Sequence, residues 1–316
     1  MTIYLSAVGS GLGDIIVLLP VLQQLIATGE PIYLIAKSPR QENLESLLPG
    51  LAGTIREPDF DERAAQGRYY NFRSHPIQRD YDWASEEFYE AFPGIRINGI
   101  FEIICKDFGL PVEFNRPLVP LPYNFLSEWA ETIVFIPGTV IDTKCWTVPR
   151  WLELYGALQD KSQSVLMIGE PDRSPSVKQL QDLQIPWVAT PSITQVLDIV
   201  STCRAVVSVD TGIMHLSVHQ GKPTIALFEH PPLYYRPYPN CLPLFAAPCS
   251  KECIEARVGL VDRTERSEQW QWYQGKFERC VMSAELKCMS SITVEAVLSA
   301  LNGAPAQITE RTPLKK

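Results

Sequence analysis

Short apolar runs alternate along the chain with helix-length amphipathic segments, a pattern typical of βαβ units. The first half opens with a strand-like run, TIYLSAV, followed by the glycine-rich GSGLGD, a helical segment over residues 15–27 and a second strand, IYLIAK. The second half repeats this rhythm with helices between the strands TIVFIPG (132–138), SVLMIG (164–169), AVVSV (205–209) and TIALF (224–228). We therefore predict an α/β protein with parallel sheets.

A proline-rich stretch, LPVEFNRPLVPLPYNF, separates the two halves and has four prolines in sixteen residues. Such a stretch is typical of a stiff connector, so we place a domain boundary at its end. The predicted domains are residues 1–125 and 126–302, and residues 303–316 are predicted to be a disordered tail. Two such domains would face a central cleft at their strand C-termini, where open α/β sheets bind ligands.

Length and charge exclude several classes of partner. The chain has 316 residues and a net charge of −8, with no block of lysine and arginine, so we expect no nucleic-acid partner. The apolar run over residues 15–27 is too short to cross a bilayer, and no basic segment precedes it as in a signal peptide. We expect a cytoplasmic protein with reduced thiols and at most peripheral membrane contact.

Polar residues follow two strands of the second half. Asp210, Thr211 and Gly212 come directly after AVVSV, and His215 lies on the first turn of the next predicted helix. The N–H groups and dipole of a helix start suit a phosphate or diphosphate, and a simple capped helix remains the alternative.

The second cluster follows TIVFIPG and has two hydroxyls, Thr139 and Thr143, beside the ammonium of Lys144. These groups suit phosphate oxygens, although the spacing is not that of a P-loop. An ordinary solvated loop is the alternative interpretation.

The third cluster is the glycine segment SAVGSGLGDIIVLLP. The dinucleotide-binding fingerprint is G-x-G-x-x-G, and its third glycine would fall at position 14. This chain has Asp14 there and a glycine one residue earlier, Gly13, so we do not expect NAD binding. Gly11 and Gly13 instead make a flexible loop that carries Asp14. This carboxylate could accept a proton from a hydroxyl, or it could only cap the helix.

Metal binding is not expected, although two sequence features contain residue types that can bind metal. Four cysteines fall within forty residues, but their spacing matches no standard zinc site, and separate reduced thiols are favoured. These are Cys249, Cys253, Cys280 and Cys288. Asp59 and Asp61 form a D-x-D, for which an ordinary acidic loop is favoured.

Four segments together resemble glycosyltransferase family 9, the ADP-heptose:lipopolysaccharide heptosyltransferase family. They are GLGDIIVLLPVLQQL, PGTVIDTKCWTVPRW, VVSVDTGIMHLSVHQGKPTIALF and KCMSSITVEAVLSAL, and they span nearly the whole chain in order. The resemblance implies a GT-B fold with two Rossmann-like domains, the N-terminal one on the acceptor side and the C-terminal one binding a nucleotide-sugar.

The resemblance also implies an inverting, metal-independent and cofactor-free transfer of a sugar. Asp14 matches the family's catalytic carboxylate. The donor, by family default an ADP-sugar carrying heptose, is expected to contact Thr139, Thr143, Lys144, Glu170, Asp210, Thr211, Gly212 and His215. The expected acceptor is a glycan or lipid-linked molecule such as lipopolysaccharide, met at the inner face of the inner membrane.

A non-catalytic protein that binds a nucleotide-sugar in the same cleft is the alternative. It would need the anion sites but would have no use for a base, so the role of Asp14 discriminates between the two functions.

Overall fold

A computed structural model of the chain describes residues 1–7, 9–42, 44–71, 108–109, 118–139, 144–190, 192–229, 239–246 and 287–303. Two compact units divide the chain, one formed mainly by Met1–Leu121 and the other by the residues from Pro122 onward. The division falls inside the proline-rich stretch, just before the boundary predicted after residue 125. Almost all of the predicted tail, residues 304–316, lies outside the described residues.

The described part of the N-terminal unit contains one parallel sheet with the strand order β3-β2-β1-β4. Its strands and α-helices are β1 (Ile3–Ser6), α1 (Leu12–Ile16), α2 (Leu19–Ala27), β2 (Ile32–Ala36), β3 (Gly53–Arg56) and β4 (Arg68–Asn71). Short 3-10 helices span Pro39–Gln41, Leu44–Ser46 and Glu57–Asp59.

The single helix predicted over residues 15–27 is wrong in one respect, because the structure has two helices there. Pro20 has no N–H, and its ring would clash with the carbonyl of Ile16, so one helix cannot continue through it. The proline lies instead in the first turn of α2, where a missing N–H costs nothing. Beyond it, α2 buries Val21, Leu22 and Leu25 in the core of the unit.

The described part of the C-terminal unit contains a second parallel sheet, with the order β10-β9-β8-β5-β6-β7. Its first elements are β5 (Thr132–Ile136), α3 (Val148–Gln159), β6 (Ser164–Ile168), α4 (Pro175–Asp182), β7 (Trp187–Val188) and α5 (Ile193–Thr202). The remaining ones are β8 (Ala205–Val209), α6 (Gly212–His219), β9 (Thr224–Phe228), β10 (Cys241–Phe245), α7 (Lys287–Ser290) and α8 (Val294–Gly303).

The strands predicted in this unit are confirmed, and β8 and β9 have the predicted bounds. All five residues of β5, of β8 and of β9 are buried. Strands covered on both faces become continuous apolar runs, which is why the sequence locates them so well.

Two tryptophans form the centre of the core beneath this sheet. Trp146 and Trp151 are almost fully buried and meet edge to face, with ring centroids 5.1 Å apart. The indole N–H of Trp146 donates to the carbonyl of Ile292 at 3.0 Å, so the segment before α8 closes the core. Among the described residues, no helix combines the length and apolar character needed to cross a bilayer.

The strand order determines where a ligand can bind in this sheet. Counted along the chain from β5, the sheet reads 3-2-1-4-5-6, the order of dinucleotide-binding domains. The chain leaves β5 toward β6 and β7, then returns to the other side of β5 as β8. The carboxyl ends of β5 and β8 therefore flank the switch point, where sheets of this class bind ligands.

Candidate functional site

Polar side chains from the loops after β5 and β8 meet at this switch point. Lys144 Nζ donates to Asp210 Oδ2 at 2.6 Å, although the two residues are 66 positions apart. The Nε2 of His215, on the first turn of α6, lies 3.6 Å from the other carboxylate oxygen of Asp210. The structure thus brings together three of the predicted donor residues.

This cluster is largely shielded from water, with side-chain exposures of 26% for Lys144, 13% for Asp210 and 18% for His215. Burial alone would raise the pKa of Asp210. The positive charge of Lys144 and the interaction with His215 outweigh that effect and hold this pKa well below its usual range. Asp210 therefore stays ionised and holds the ammonium of Lys144 at the strand ends.

The start of α6 adds a partial positive charge beside the cluster. Thr211 is the N-cap residue, with extended backbone angles and no cap hydrogen bond from its side chain, and Gly212 is the first helical residue. The first N–H groups of a helix have no acceptor within the helix, and together with the helix dipole they favour an anion. The sequence prediction placed Thr211 and Gly212 at this helix start.

The loop after β5 passes close to the start of α4. A Cβ on Gly138 would come within 2.6 Å of Ser174 Oγ and of a methyl group of Val177, so the loop cannot carry a side chain there. Thr139 follows directly. Thr143, which the sequence also placed at the donor site, lies outside the described residues.

Glu170 follows β6, the second strand of this sheet in chain order, which lies next to β5. Its carboxylate is half-exposed and accepts from Arg173 Nε at 2.8 Å, and no described contact joins it to Lys144 or Asp210. The end of the second strand is where dinucleotide-binding sheets place an acidic residue for a ribose hydroxyl. Glu170 thus lies at the strand end where such sheets bind a ribose. None of its described contacts is with the Lys144–Asp210 ion pair.

Asp14 lies in the N-terminal unit, against the glycine loop that follows β1. Its Oδ2 accepts from the N–H of Gly11 at 2.9 Å, and Gly11 is the N-cap of α1. A Cβ on Gly9 or Gly11 would lie 2.6 or 2.9 Å from this oxygen, so the approach of the carboxylate requires glycine at both positions. Asp14 therefore bonds to the helix start, as a capping residue does, while Gly13 lies inside α1.

Two residues that the sequence analysis did not place at the site hold the same loop. Gln41 Nε2 donates to the carbonyls of Gly9 and Gly11, and Lys37 Nζ donates to that of Ala7. A glutamine in a loop after a strand carries no distinctive signal. Only the contact with the glycine loop reveals it.

The structure describes Asp59 and Asp61 and one of the four late cysteines. Asp59 pairs with Arg56 at 2.6 Å, and Asp61 accepts from the N–H groups of the turn that follows it. Of the four late cysteines, Cys288 is buried, whereas Cys249, Cys253 and Cys280 lie outside the described residues. Within the described ranges, no group of three or more His, Cys, Asp or Glu is arranged to hold a metal ion.

Comparison with known proteins shows a similarity in the C-terminal region. Residues 124–254 match the model of glycosyltransferase family 9 (heptosyltransferase). Lipopolysaccharide heptosyltransferase 1 of Escherichia coli (strain K12) is 30% identical over 108 residues, which are 33% of this chain and 34% of that protein. The chain thus spans about a third of the length of the curated relatives that it matches.

Solved structures are similar over most of the chain. E. coli heptosyltransferase WaaC with ADP-2-deoxy-2-fluoro heptose has a TM-score of 0.59 at 17% identity, over 96% of this chain and 99% of that one. The family 9 glycosyltransferase from Veillonella parvula DSM 2008 has a TM-score of 0.61 at 17% identity, over 95% and 96%. The iron-containing dodecameric glycosyltransferase TibC from enterotoxigenic E. coli H10407 has 0.64 at 12%, over 95% and 75%.

These findings confirm two of the predictions from the sequence. Residues 124–254 match the model of glycosyltransferase family 9, the family that the motifs indicated. The fold class is α/β of the GT-B type, with a parallel sheet in each of two units.

Proposed function

We propose that this chain is an inverting glycosyltransferase that moves a sugar from a nucleotide-diphosphate sugar to a hydroxyl of a glycan acceptor. ADP-heptose is the first candidate donor, and lipopolysaccharide or a lipid-linked glycan is the acceptor. The observation that carries the proposal is the cluster of Lys144, Asp210 and His215 beside a helix start, at the switch point of a family 9 domain.

The donor would bind in the C-terminal unit. Its diphosphate would lie on the first N–H groups of α6, with Lys144 and His215 donating to phosphate oxygens. Asp210, an ionised acceptor next to these cations, would face hydroxyls of the sugar. Thr139 and Thr143 would add hydroxyl donors to the phosphates, and Glu170 would accept from the ribose.

The N-terminal unit would take the acceptor. Asp14 would remove the proton of the acceptor hydroxyl while that oxygen attacks the anomeric carbon of the donor. The bond between this carbon and the diphosphate oxygen would break from the opposite side, so the configuration inverts. The electron pair would leave on the nucleoside diphosphate, where Lys144, His215 and the helix start neutralise it without a metal ion.

Its acceptor would place the enzyme in the cytoplasm, in peripheral contact with the inner face of the inner membrane. The solved complexes of WaaC with ADP and with an ADP-heptose analogue support ADP-heptose as the first donor to test.

The decisive variant is Asp14→Asn, which keeps an oxygen for the N–H of Gly11 but removes the base. We expect it to lower ADP release from ADP-heptose, in the presence of heptose-deficient lipopolysaccharide, by roughly 100-fold or more. Its affinity for ADP, measured by calorimetry, should be unchanged. Transfer at the wild-type rate would show that Asp14 is only a capping residue.

Lys144→Met tests the donor site. A lost charge-assisted hydrogen bond should weaken ADP binding by roughly 10-fold or more. Lys178→Met is the matched control, because Lys178 is an exposed lysine of the same unit, paired with Asp182 on α4. If the wild-type protein binds neither ADP nor ADP-heptose, this donor assignment is refuted. If it binds both but transfers to no glycan acceptor, the non-catalytic alternative is favoured.

A further inference from the structure

We propose that Gln41 is a positioning residue, which holds the glycine loop so that the Asp14 carboxylate keeps its place. The inference rests on the proposed role of Asp14 as the base. Gln41 ends the short 3-10 helix that follows β2, and its side chain is fully buried. A buried amide is costly unless its hydrogen-bonding groups are satisfied, so its contacts show what the residue does.

The side-chain amide of Gln41 makes three hydrogen bonds, two of which use both N–H groups of its nitrogen. Nε2 donates to the carbonyls of Gly9 at 3.0 Å and Gly11 at 2.9 Å, and Oε1 accepts from the N–H of Lys37 at 2.9 Å. Turning the amide over would place oxygen against two carbonyls and nitrogen against an N–H. The orientation of the side chain is therefore determined by its surroundings.

Gly11 connects the amide of Gln41 to the carboxylate of Asp14. The carbonyl of Gly11 accepts from Gln41, and the N–H of the same Gly11 donates to Asp14 Oδ2 at 2.9 Å. A Cβ on Gly9, the second residue that Gln41 holds, would lie 2.6 Å from Asp14 Oδ2, so the backbone of Gly9 passes close to the same carboxylate. Gln41 therefore holds two backbone segments that lie close to the Asp14 carboxylate, at Gly9 and at Gly11.

The glycine loop depends on such external contacts. Glycine has access to the widest range of backbone angles, so a loop with glycines at 9 and 11 does not hold its shape by itself. Ser38 Oγ, from the same segment as Gln41, donates to the carbonyl of Ser10 at 2.6 Å. The segment after β2 is thus the support of the loop, and Gln41 is its buried member.

If the base is displaced, the rate of transfer falls while the affinity of the protein for the donor stays the same. Misplacing a catalytic group by about 1 Å can cost on the order of 100-fold in rate. We expect Gln41→Met, which keeps the length of the side chain, to lower kcat for ADP release by roughly 10- to 100-fold, with lipopolysaccharide lacking heptose as acceptor. The KM for ADP-heptose and the Kd for ADP should remain unchanged.

A double-mutant cycle separates positioning from general damage to the structure. If Gln41 acts through Asp14, Gln41→Met should have no further effect on kcat in the Asp14→Asn background. Gln23→Met is the matched control, because Gln23 Nε2 donates to the carbonyl of Val119 at the surface of the same unit. It should behave as the wild type. Equal losses from Gln41→Met in both backgrounds would overturn the proposal, as would an unchanged kcat.

Hydrogen exchange of the full chain makes the inference testable even if the proposed transferase function fails. Gln41→Met should speed exchange of amides in residues 9–16 and leave those of β5 and β8 as in the wild type. Unchanged exchange in residues 9–16 would show that Gln41 does not hold the loop, whatever reaction the protein catalyses. If Gln41→Met speeds exchange in residues 9–16 but Asp14→Asn transfers sugar at the wild-type rate, only the role of Asp14 as the base is refuted.

Discussion

Replacing Asp210 by asparagine removes one charge from a shielded ion pair while nearly preserving its shape. Lys144 then keeps a neutral oxygen acceptor at the same place but loses the carboxylate that balances its charge. Hydrogen bonds to charged groups contribute about 1.5–3 kcal/mol, and breaking a fully buried ion pair costs about 3–5 kcal/mol. Since the Lys144 side chain is 26% exposed and can regain water, we expect a loss of about 2 kcal/mol in the free energy of unfolding at pH 7.

The dependence on pH follows from the direction of the pKa shift. The folded state holds the pKa of Asp210 below its value in the unfolded chain, which is about 3.9. As the pH falls below that value, the unfolded chain takes up the proton first, so the pair stabilises the fold fully only at higher pH. The difference between wild type and Asp210→Asn should therefore be constant from pH 7 to about pH 5 and shrink as the pH falls through 4 toward the folded pKa.

Urea unfolding followed by tryptophan fluorescence measures this difference, because Trp146 and Trp151 are buried in the same unit. Asp182→Asn is the control, since it breaks the exposed Lys178–Asp182 pair and should cost at most about 0.5 kcal/mol. A loss at pH 7 no larger than that of the control would refute the reasoning about the shielded pair. A loss that persists undiminished at pH 3 would show that it does not arise from charge.

Two further substitutions test the packing around the site. Trp146→Phe removes the hydrogen bond to the Ile292 carbonyl and part of a buried ring system, so urea unfolding should show a loss of about 2 kcal/mol or more; an unchanged midpoint would contradict this packing. Gly138→Ala places a methyl group 2.6 Å from atoms of Ser174 and Val177, so both the thermal midpoint and the affinity for ADP should fall. The affinity would stay at the wild-type value if the loop after β5 took no part in donor binding.

The strands and their polar ends could be predicted because their signals are local. AVVSV and TIALF are apolar at four of five positions, and each of their residues is buried in a parallel sheet. Asp210, Thr211 and Gly212 interrupt such a pattern at one point, so their place at a strand end is evident from the chain alone. Helix boundaries were less accurate near Pro20, where one residue without an N–H divides the predicted helix into α1 and α2.

The order of the strands was decided only by the tertiary structure. A run of apolar residues shows that a strand is buried but not which strand lies beside it, because pairing depends on residues far apart in the chain. The placement of β8 next to β5 brings Asp210 to Lys144, 66 positions away. Gln41 likewise reaches Gly9 and Gly11 only because β2 lies beside β1. Sequence alone thus determined which residues have the chemistry for a site, whereas contacts across the sheet decided which of them act together, since hydrogen bonds and ion pairs form between neighbours in space.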